Sequence, residues 1–144
     1  MNKRDLTLAM LACAEGRPYT PVQLQKALFL ATRQVPGIIN QGPEFNFRPY
    51  DYGPFDSDVY TEATHLHMQG DAVVAPSGQG RWNTYSASDR GLVKGREILA
   101  QIPESSRRFL IEVSGWVRSQ SFSGLVKSIY DAYPEMRANS IFRG

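Results

Sequence analysis

Asp71-Ala72-Val73-Val74-Ala75-Pro76-Ser77-Gly78-Gln79-Gly80-Arg81-Trp82-Asn83-Thr84-Tyr85-Ser86-Ala87 is the stretch whose reading decides the fold. Asp71 to Ala75 is a short apolar run that suits a strand. Pro76 to Gly80 is a cluster of turn residues, and Arg81 to Ala87 alternates as a returning strand. Directly before it, Asp56 suits a helix N-cap. Phe55 and Tyr60 are spaced as a hydrophobic staple. Val59, Ala63 and Leu66 recur at helical spacing, and Gly70 stops the pattern. The stretch thus predicts a two-stranded hairpin fed by a helix.

Working outward, the chain reads as mainly helical. A first helix is expected from about Asp5 to Glu15, with Leu6, Met10, Cys13 and Ala14 inward and Gly16 as its stop. Thr20-Pro21-Val22-Gln23 is a capping box with proline at the first helical position. The second helix it opens carries Leu24, Ala27, Leu28, Ala31 and Val35 on one stripe, widened by Phe29 and Leu30, and ends at Pro36-Gly37. Phe45 to Tyr50 suits a short strand that Pro49 confines to an edge. Tyr52-Gly53-Pro54-Phe55 reads as a turn. After the hairpin, a fourth helix runs from about Asp89 to Ile102, with Leu92, Ile98, Leu99 and Ile102 as core candidates. Gly91 and Gly95 weaken it. A fifth runs from about Glu104 to Ser119 with Phe109, Val113, Trp116 and Val117 inward. A sixth starts near Ser121, carries Leu125, Ile129, Tyr130 and Tyr133, and ends at Pro134. The order is too helical for a sandwich and lacks the alternation of a parallel sheet. It predicts one α+β domain over residues 1–144, mainly helical and winged-helix-like, with a short β-hairpin wing and additional C-terminal helices.

Composition bounds the function classes. The 144 residues are 42% hydrophobic and 21% charged, near the globular norm, so disorder is not expected. Cys13 is the only cysteine, which excludes an intrachain disulfide and suits a reducing compartment. The first residues, Met1-Asn2-Lys3-Arg4-Asp5-Leu6, lack the apolar core of a signal peptide. No apolar run nears the roughly 18 residues of a membrane span. The expectation is a soluble, cytoplasmic protein without membrane contact. A net charge of +2 does not suggest a general polyanion binder. The charge is uneven, however. Asp51 to Asp71 holds five acids and no Lys or Arg, whereas Arg81 to Lys127 holds eight basic residues and four acids.

Thr20-Pro21-Val22-Gln23-Leu24-Gln25-Lys26-Ala27-Leu28-Phe29 reads like a family's opening helix. So do Tyr50-Asp51-Tyr52-Gly53-Pro54-Phe55 with Val59-Tyr60, Thr84 to Ser88 with Gly91, and Leu125 to Tyr133-Pro134. Together these segments resemble the Panacea family, the domain of SocA-like antitoxins of prokaryotic or phage-related toxin-antitoxin systems. A related winged-helix family is the alternative. Phe55 stands where the family often has Val, and Ser86-Ala87-Ser88 lacks its usual Leu and Thr. The resemblance implies a winged-helix-like domain that neutralises a toxin by direct binding, with no catalytic residue and no cofactor.

The residues that could carry chemistry favour structural roles. His65 and His67 are two apart, on different helix faces, whereas metal pairs on helices sit three or four apart. Cys13 lies among apolar residues and suits an inert thiol. Asp56 and Asp58 sit where a helix dipole favours acids. Gly78-Gln79-Gly80 lacks the Lys-Ser/Thr of a phosphate loop. No catalytic, metal or cofactor residue is expected.

Two binding readings follow, and a structural subunit of a larger complex is a distant third. A DNA-reading winged helix presents its third helix and its wing. Here that helix offers Ser57, Asp58, Thr61, Glu62, His65 and Gln69, and acids there oppose phosphates. Only Arg81 on the wing, with Arg33 and Lys26 on the second helix, could touch a DNA backbone. The alternative is a protein partner, such as a toxin. Tyr50, Arg48 and Trp82 are of the residue types that anchor interfaces, and Asp51, Asp58 and Glu62 would suit a basic surface. The expected binding set is therefore Arg48, Tyr50, Asp51, Asp58, Glu62, Arg81 and Trp82, with Tyr50 and Trp82 partly exposed. A transcriptional regulator is the second choice, and homo-oligomerisation stays open.

Overall fold

The structure, a computed structural model, describes residues 1–78 and 80–143. Its elements run α1 (Lys3–Cys13), α2 (Pro21–Gln34), β1 (Arg48–Tyr50), β2 (Gly53–Phe55), α3 (Asp58–Met68), β3 (Ala72–Pro76), β4 (Asn83–Ala87), α4 (Asp89–Ala100), α5 (Glu104–Ser119) and α6 (Phe122–Ala132). A 3-10 turn, Pro134–Arg137, follows. The architecture is mixed α+β and mainly helical, as the sequence predicts. Among the described residues no helix is long and apolar enough to cross a membrane.

Local chemistry sets the helix starts. At α2 the Gln23 amide donates to Thr20 Oγ1 at 3.3 Å, and the Thr20 amide donates to Gln23 Oε1 at 2.9 Å. A second capping box, Asn2 with Asp5, starts α1 earlier than apolar spacing alone places it. Ser88 and Ser121 cap α4 and α6 through the amides of Gly91 and Gly124, each at 3.0 Å. Asp56 does not sit at the N-cap of α3, because the helix begins at Asp58. Its carboxylate instead accepts from the amides of Asp58 at 2.9 Å and Asn46 at 2.6 Å, tying the preceding loop to the helix entry. Phe55 and Tyr60 still meet, with ring centroids 5.8 Å apart, but with Ser57 as the N-cap they no longer hold the N′ and N4 positions of a staple.

The strands depart most from expectation. Only Arg48–Tyr50 of the Phe45–Tyr50 run is a strand, and the segment expected as a turn supplies its partner, β2. The turn proper is Asp51-Tyr52, and Tyr50 pairs with Gly53. Pro49 faces Pro54 across this hairpin, at the non-hydrogen-bonded pair of the ladder, where a missing amide costs nothing. Side chains add to the pairing: Tyr50 stacks on Phe55 with ring centroids 5.0 Å apart. The second hairpin, β3–β4, pairs Val74 with Tyr85, and its turn spans 77–82, where Gln79 lies outside the described residues. A third, one-residue strand joins it, because the Tyr19 amide donates to the Tyr85 carbonyl at 2.8 Å and the Tyr85 amide returns the bond at 3.0 Å.

One buried cluster draws on all six helices, including Leu6, Met10, Leu24, Leu28, Leu66, Leu110 and Ile129. Leu24, Ala27, Leu28 and Ala31 of the expected α2 stripe and the Val59/Ala63/Leu66 face of α3 are buried, while Val35 lies just past the end of α2 and is half-buried. On α5 the inward face is Leu110, Val113, Ser114 and Val117, so Trp116, expected inside, is 37% exposed. Ser114 explains the phase. Its Oγ shares a hydrogen bond with the buried Tyr19 hydroxyl, which also reaches the Met10 carbonyl.

Gly91 and Gly95 are contact points rather than weak links. A Cβ at Gly91 would overlap the Asp71 carbonyl oxygen, and one at Gly95 would overlap the Ala12 side chain of α1. Gly91→Ala and Gly95→Ala should each cost about 1–3 kcal/mol, although alanine is the better helix former. Leu28→Ala should cost about 2–5 kcal/mol, and Thr20→Ala about 0.5–2 kcal/mol. Urea denaturation checks all four, and a neutral or stabilising Gly91→Ala would refute the close α4 approach.

Candidate partner-binding face

The acidic middle of the chain is largely consumed inside the fold. Asp58 accepts from Lys3 Nζ at 2.8 Å, and Glu62 from Arg4 Nε at 2.9 Å. Both cations come from the first turn of α1. The Glu62 side chain is only 15% exposed. Asp71 is almost fully buried and holds Lys94 Nζ at 3.1 Å; Arg90 Nε lies 3.1 Å from its other oxygen without hydrogen-bond geometry. Asp56 serves the amides described above. Of the five acids, Asp51 alone has no ion pair or side-chain hydrogen bond among the described residues; its backbone carbonyl accepts from the Ile141 amide at 3.0 Å. Asp58 and Glu62 are therefore internally neutralised, which weakens their expected role toward a basic partner.

The cations expected to meet DNA are also redistributed. Lys26 is buried and out of reach of a DNA backbone, which is too bulky to enter the cleft it lines. Arg33 pairs with Glu135 at 3.1 Å and lies over the Phe29 and Tyr133 rings, at 4.9 and 5.0 Å from their centroids. Arg48 and Arg81 are exposed.

What the fold brings together is aromatic. Tyr50 and Trp82 are 55% and 38% exposed, the partial exposure the sequence leads one to expect. Trp82, Tyr52 and Phe122 stand around a recess of about 560 Å³, floored by Pro21, Val22 and Leu125. Tyr52 meets Phe122 edge to face at 5.0 Å. The walls come from the starts of α2 and α6, the β1–β2 turn and the β3–β4 turn. Phe122 has no outward signal in the sequence: it stands at i, i+3, i+7 with Leu125 and Ile129, and it is exposed because it is the first residue of α6, beyond the buried part of that face. Arg48, Asp51 and Arg81 do not line this recess.

Beside it, sharing Pro21, Val22 and Tyr52, lies a smaller cleft of about 300 Å³ walled by Tyr50, Phe55 and Tyr60, with Lys26 at its lining. A hydrogen-bonded clasp underlies it. Gln25 Nε2 donates to the Asp56 carbonyl and Gln25 Oε1 accepts the Asp56 amide, both at 3.0 Å. Lys26 Nζ donates to the Pro54 carbonyl at 3.1 Å. Gly53, at φ +101, has a conformation L side chains rarely adopt, and a Cβ there would press on Tyr130 at 3.3 Å and on Lys26 Nζ at 3.5 Å. Burial lowers the Lys26 amine from 10.5 to about 7. Its signal in the sequence was a lysine flanked at helical spacing by Val22, Phe29 and Leu30.

The residues with catalytic potential have other engagements. His65 Nδ1 contacts Arg4, and His67 Nδ1 accepts the Val74 amide at 3.2 Å. Burial pushes the Cys13 thiol up to about 12, which disfavours the thiolate. Compared with known proteins, the chain matches no family model, no curated protein and no solved structure.

The Lys26 and Cys13 shifts set a pH window. Below about 7 the folded and unfolded states both hold the Lys26 proton, and folding bears the full cost of burying it. Between about 7 and 10.5 only the unfolded state holds it, so stability rises with pH, by up to ~1.4 kcal/mol per unit. Above 9.0 the unfolded Cys13 thiol ionises while the folded one does not, which offsets the Lys26 rise up to about 10.5 and turns it into a fall beyond that. Stability measured by urea denaturation should therefore climb from pH 7 to pH 9, and Lys26→Met should flatten the climb. An equal climb in Lys26→Met would assign it to another group.

Proposed function

We propose that this chain is a non-enzymatic binding module of winged-helix type, antitoxin-like, that neutralises a partner protein by direct contact. The observation that carries the reading is the recess framed by Trp82, Tyr52 and Phe122. Large aromatic side chains held half-exposed around an apolar hollow are what a protein hot spot inserts into. The resemblance of Thr20 to Phe29 and of Gly53-Pro54-Phe55 to the Panacea pattern supports a toxin as that partner. The winged-helix assignment rests on element order: α1, the Tyr19 strand, α2, α3, then a hairpin whose second strand pairs with Tyr19. The β1–β2 hairpin is an insertion between α2 and α3.

A winged-helix regulator is the second reading. It gains from the ion pairs of Asp58 and Glu62, which soften the repulsion between α3 and phosphates, and from the exposure of Arg81. It loses Lys26 and part of Arg33.

The test is co-purification with the product of a neighbouring small toxin gene, followed by titration. Trp82→Ala and Phe122→Ala should each weaken the complex by about 30-fold or more, equivalent to roughly 2 kcal/mol, while melting stays near wild type. Arg81→Ala should leave the protein complex unchanged. Sequence-specific DNA binding that Arg81→Ala weakens and Trp82→Ala spares would favour the regulator instead.

A further inference from the structure

The cleft over Lys26 holds an uncommon arrangement. The side chain is 3% exposed, its ammonium has one acceptor in the Pro54 carbonyl, and no carboxylate pairs with it among the described residues. A charged amine carries three donors, so up to two are left without a protein acceptor. A donor to one carbonyl could have been a neutral amide, as Gln25 is next to it. A buried amine without a counter-ion is costly in the empty cleft and becomes favourable once an anion enters.

We propose that this cleft is a carboxylate-binding site, with Lys26 Nζ as the group that receives the anion. The size and walls select the ligand. About 300 Å³ admits a glutamate side chain or a small aryl acid. The apolar faces of Pro21, Val22, Tyr50 and Phe55 suit its carbon skeleton. A single amine with no arginine beside it matches a monoanion rather than a phosphate, which calls for several converging donors. The titratable groups facing Lys26 are Tyr50, Asp51 and Tyr52 from the hairpin, Tyr60 from α3 and Tyr130 from α6. Burial pushes the Tyr60 phenol up to about 12, so it stays a neutral donor. Exposed Asp51 is the acid an entering anion must pass. The site goes beyond the binding-face reading and can be tested without any partner protein.

Linkage gives a signature that nonspecific binding does not share. Near pH 8.5 the unliganded amine is mostly neutral. An incoming carboxylate recharges it, so close to one proton enters with each ligand, and affinity falls about tenfold per pH unit above 7 until the bound amine itself titrates. The experiment uses three probes on the whole chain: N-acetyl-glutamate N-methylamide, phenylacetate, and N-acetyl-glutamine N-methylamide as the neutral control. Binding is followed by amide NMR shifts, and proton uptake by calorimetry at pH 8.5 in buffers of different ionisation heat. Saturable binding of either acid with proton uptake, absent for the neutral amide, is the expected result. Binding of the blocked glutamate assigns the natural carboxylate to a protein side chain; binding of phenylacetate alone assigns it to a free small acid. Failure of both acids to saturate, binding without proton uptake, or equal binding of the neutral amide overturns the proposal. Undiminished acid binding by folded Lys26→Met does the same. Should that variant unfold, the wild-type proton count decides.

Discussion

Two adjacent side chains of α2 hold a hairpin that cannot hold itself. At three residues per strand the β1–β2 ladder is too short to stand alone. Gln25 extends the bonding by treating Asp56 as a strand neighbour would, giving and taking one hydrogen bond with its backbone. Lys26 adds the Pro54 carbonyl. The hairpin in turn anchors the end of the chain. Asn139 donates to the Pro49 carbonyl at 3.1 Å, Ile141 to Asp51, and the Tyr130 hydroxyl to Ser140 Oγ at 2.6 Å. Two of the four segments that suggested a family resemblance, around Gln25-Lys26 and Gly53-Pro54, are the two halves of this one clasp.

Charge plays a different part from the one its linear distribution suggests. Three of the acids between Asp51 and Asp71 meet cations brought from α1 and α4, and Asp56 caps amides. The ion pairs join helices that are far apart in sequence, so they knit the bundle rather than paint a surface. Exposed pairs of this kind contribute little each, but the nearly buried Asp71 would be costly without Arg90 and Lys94. What remains exposed around the recess is aromatic.

Features set by neighbours in sequence were legible; those set by neighbours in space were not. The Thr20/Gln23 box, the α3 core face, the Ser121 start and the β3–β4 hairpin each depend on residues a few positions apart. The β2 strand was hidden because glycine and proline are turn formers unless something distant, here Gln25 and Lys26, holds them extended. Trp116 faces outward rather than inward because Ser114 is drawn to the core by Tyr19, 95 residues away. Gly91 and Gly95 look like helix weakeners until Asp71 and α1 are seen against them. For the site, Tyr50 and Trp82 were readable as exposed aromatics, while Phe122 and buried Lys26 needed the third dimension to acquire meaning. The pairing of Asp58 and Glu62 with Lys3 and Arg4 had no local signal.

The recess is assembled from four places along the chain: residues 20–23, Tyr52, Trp82 and 120–125. During synthesis it comes into being late, since a nascent chain that stops short of Phe122 has three walls and no fourth. The recess consequently reports that α6 has docked. Under the proposed binding reading, a partner of the recess would engage only a chain that extends through α6, and loss of that helix would remove recognition even while α1 to α3 are still present.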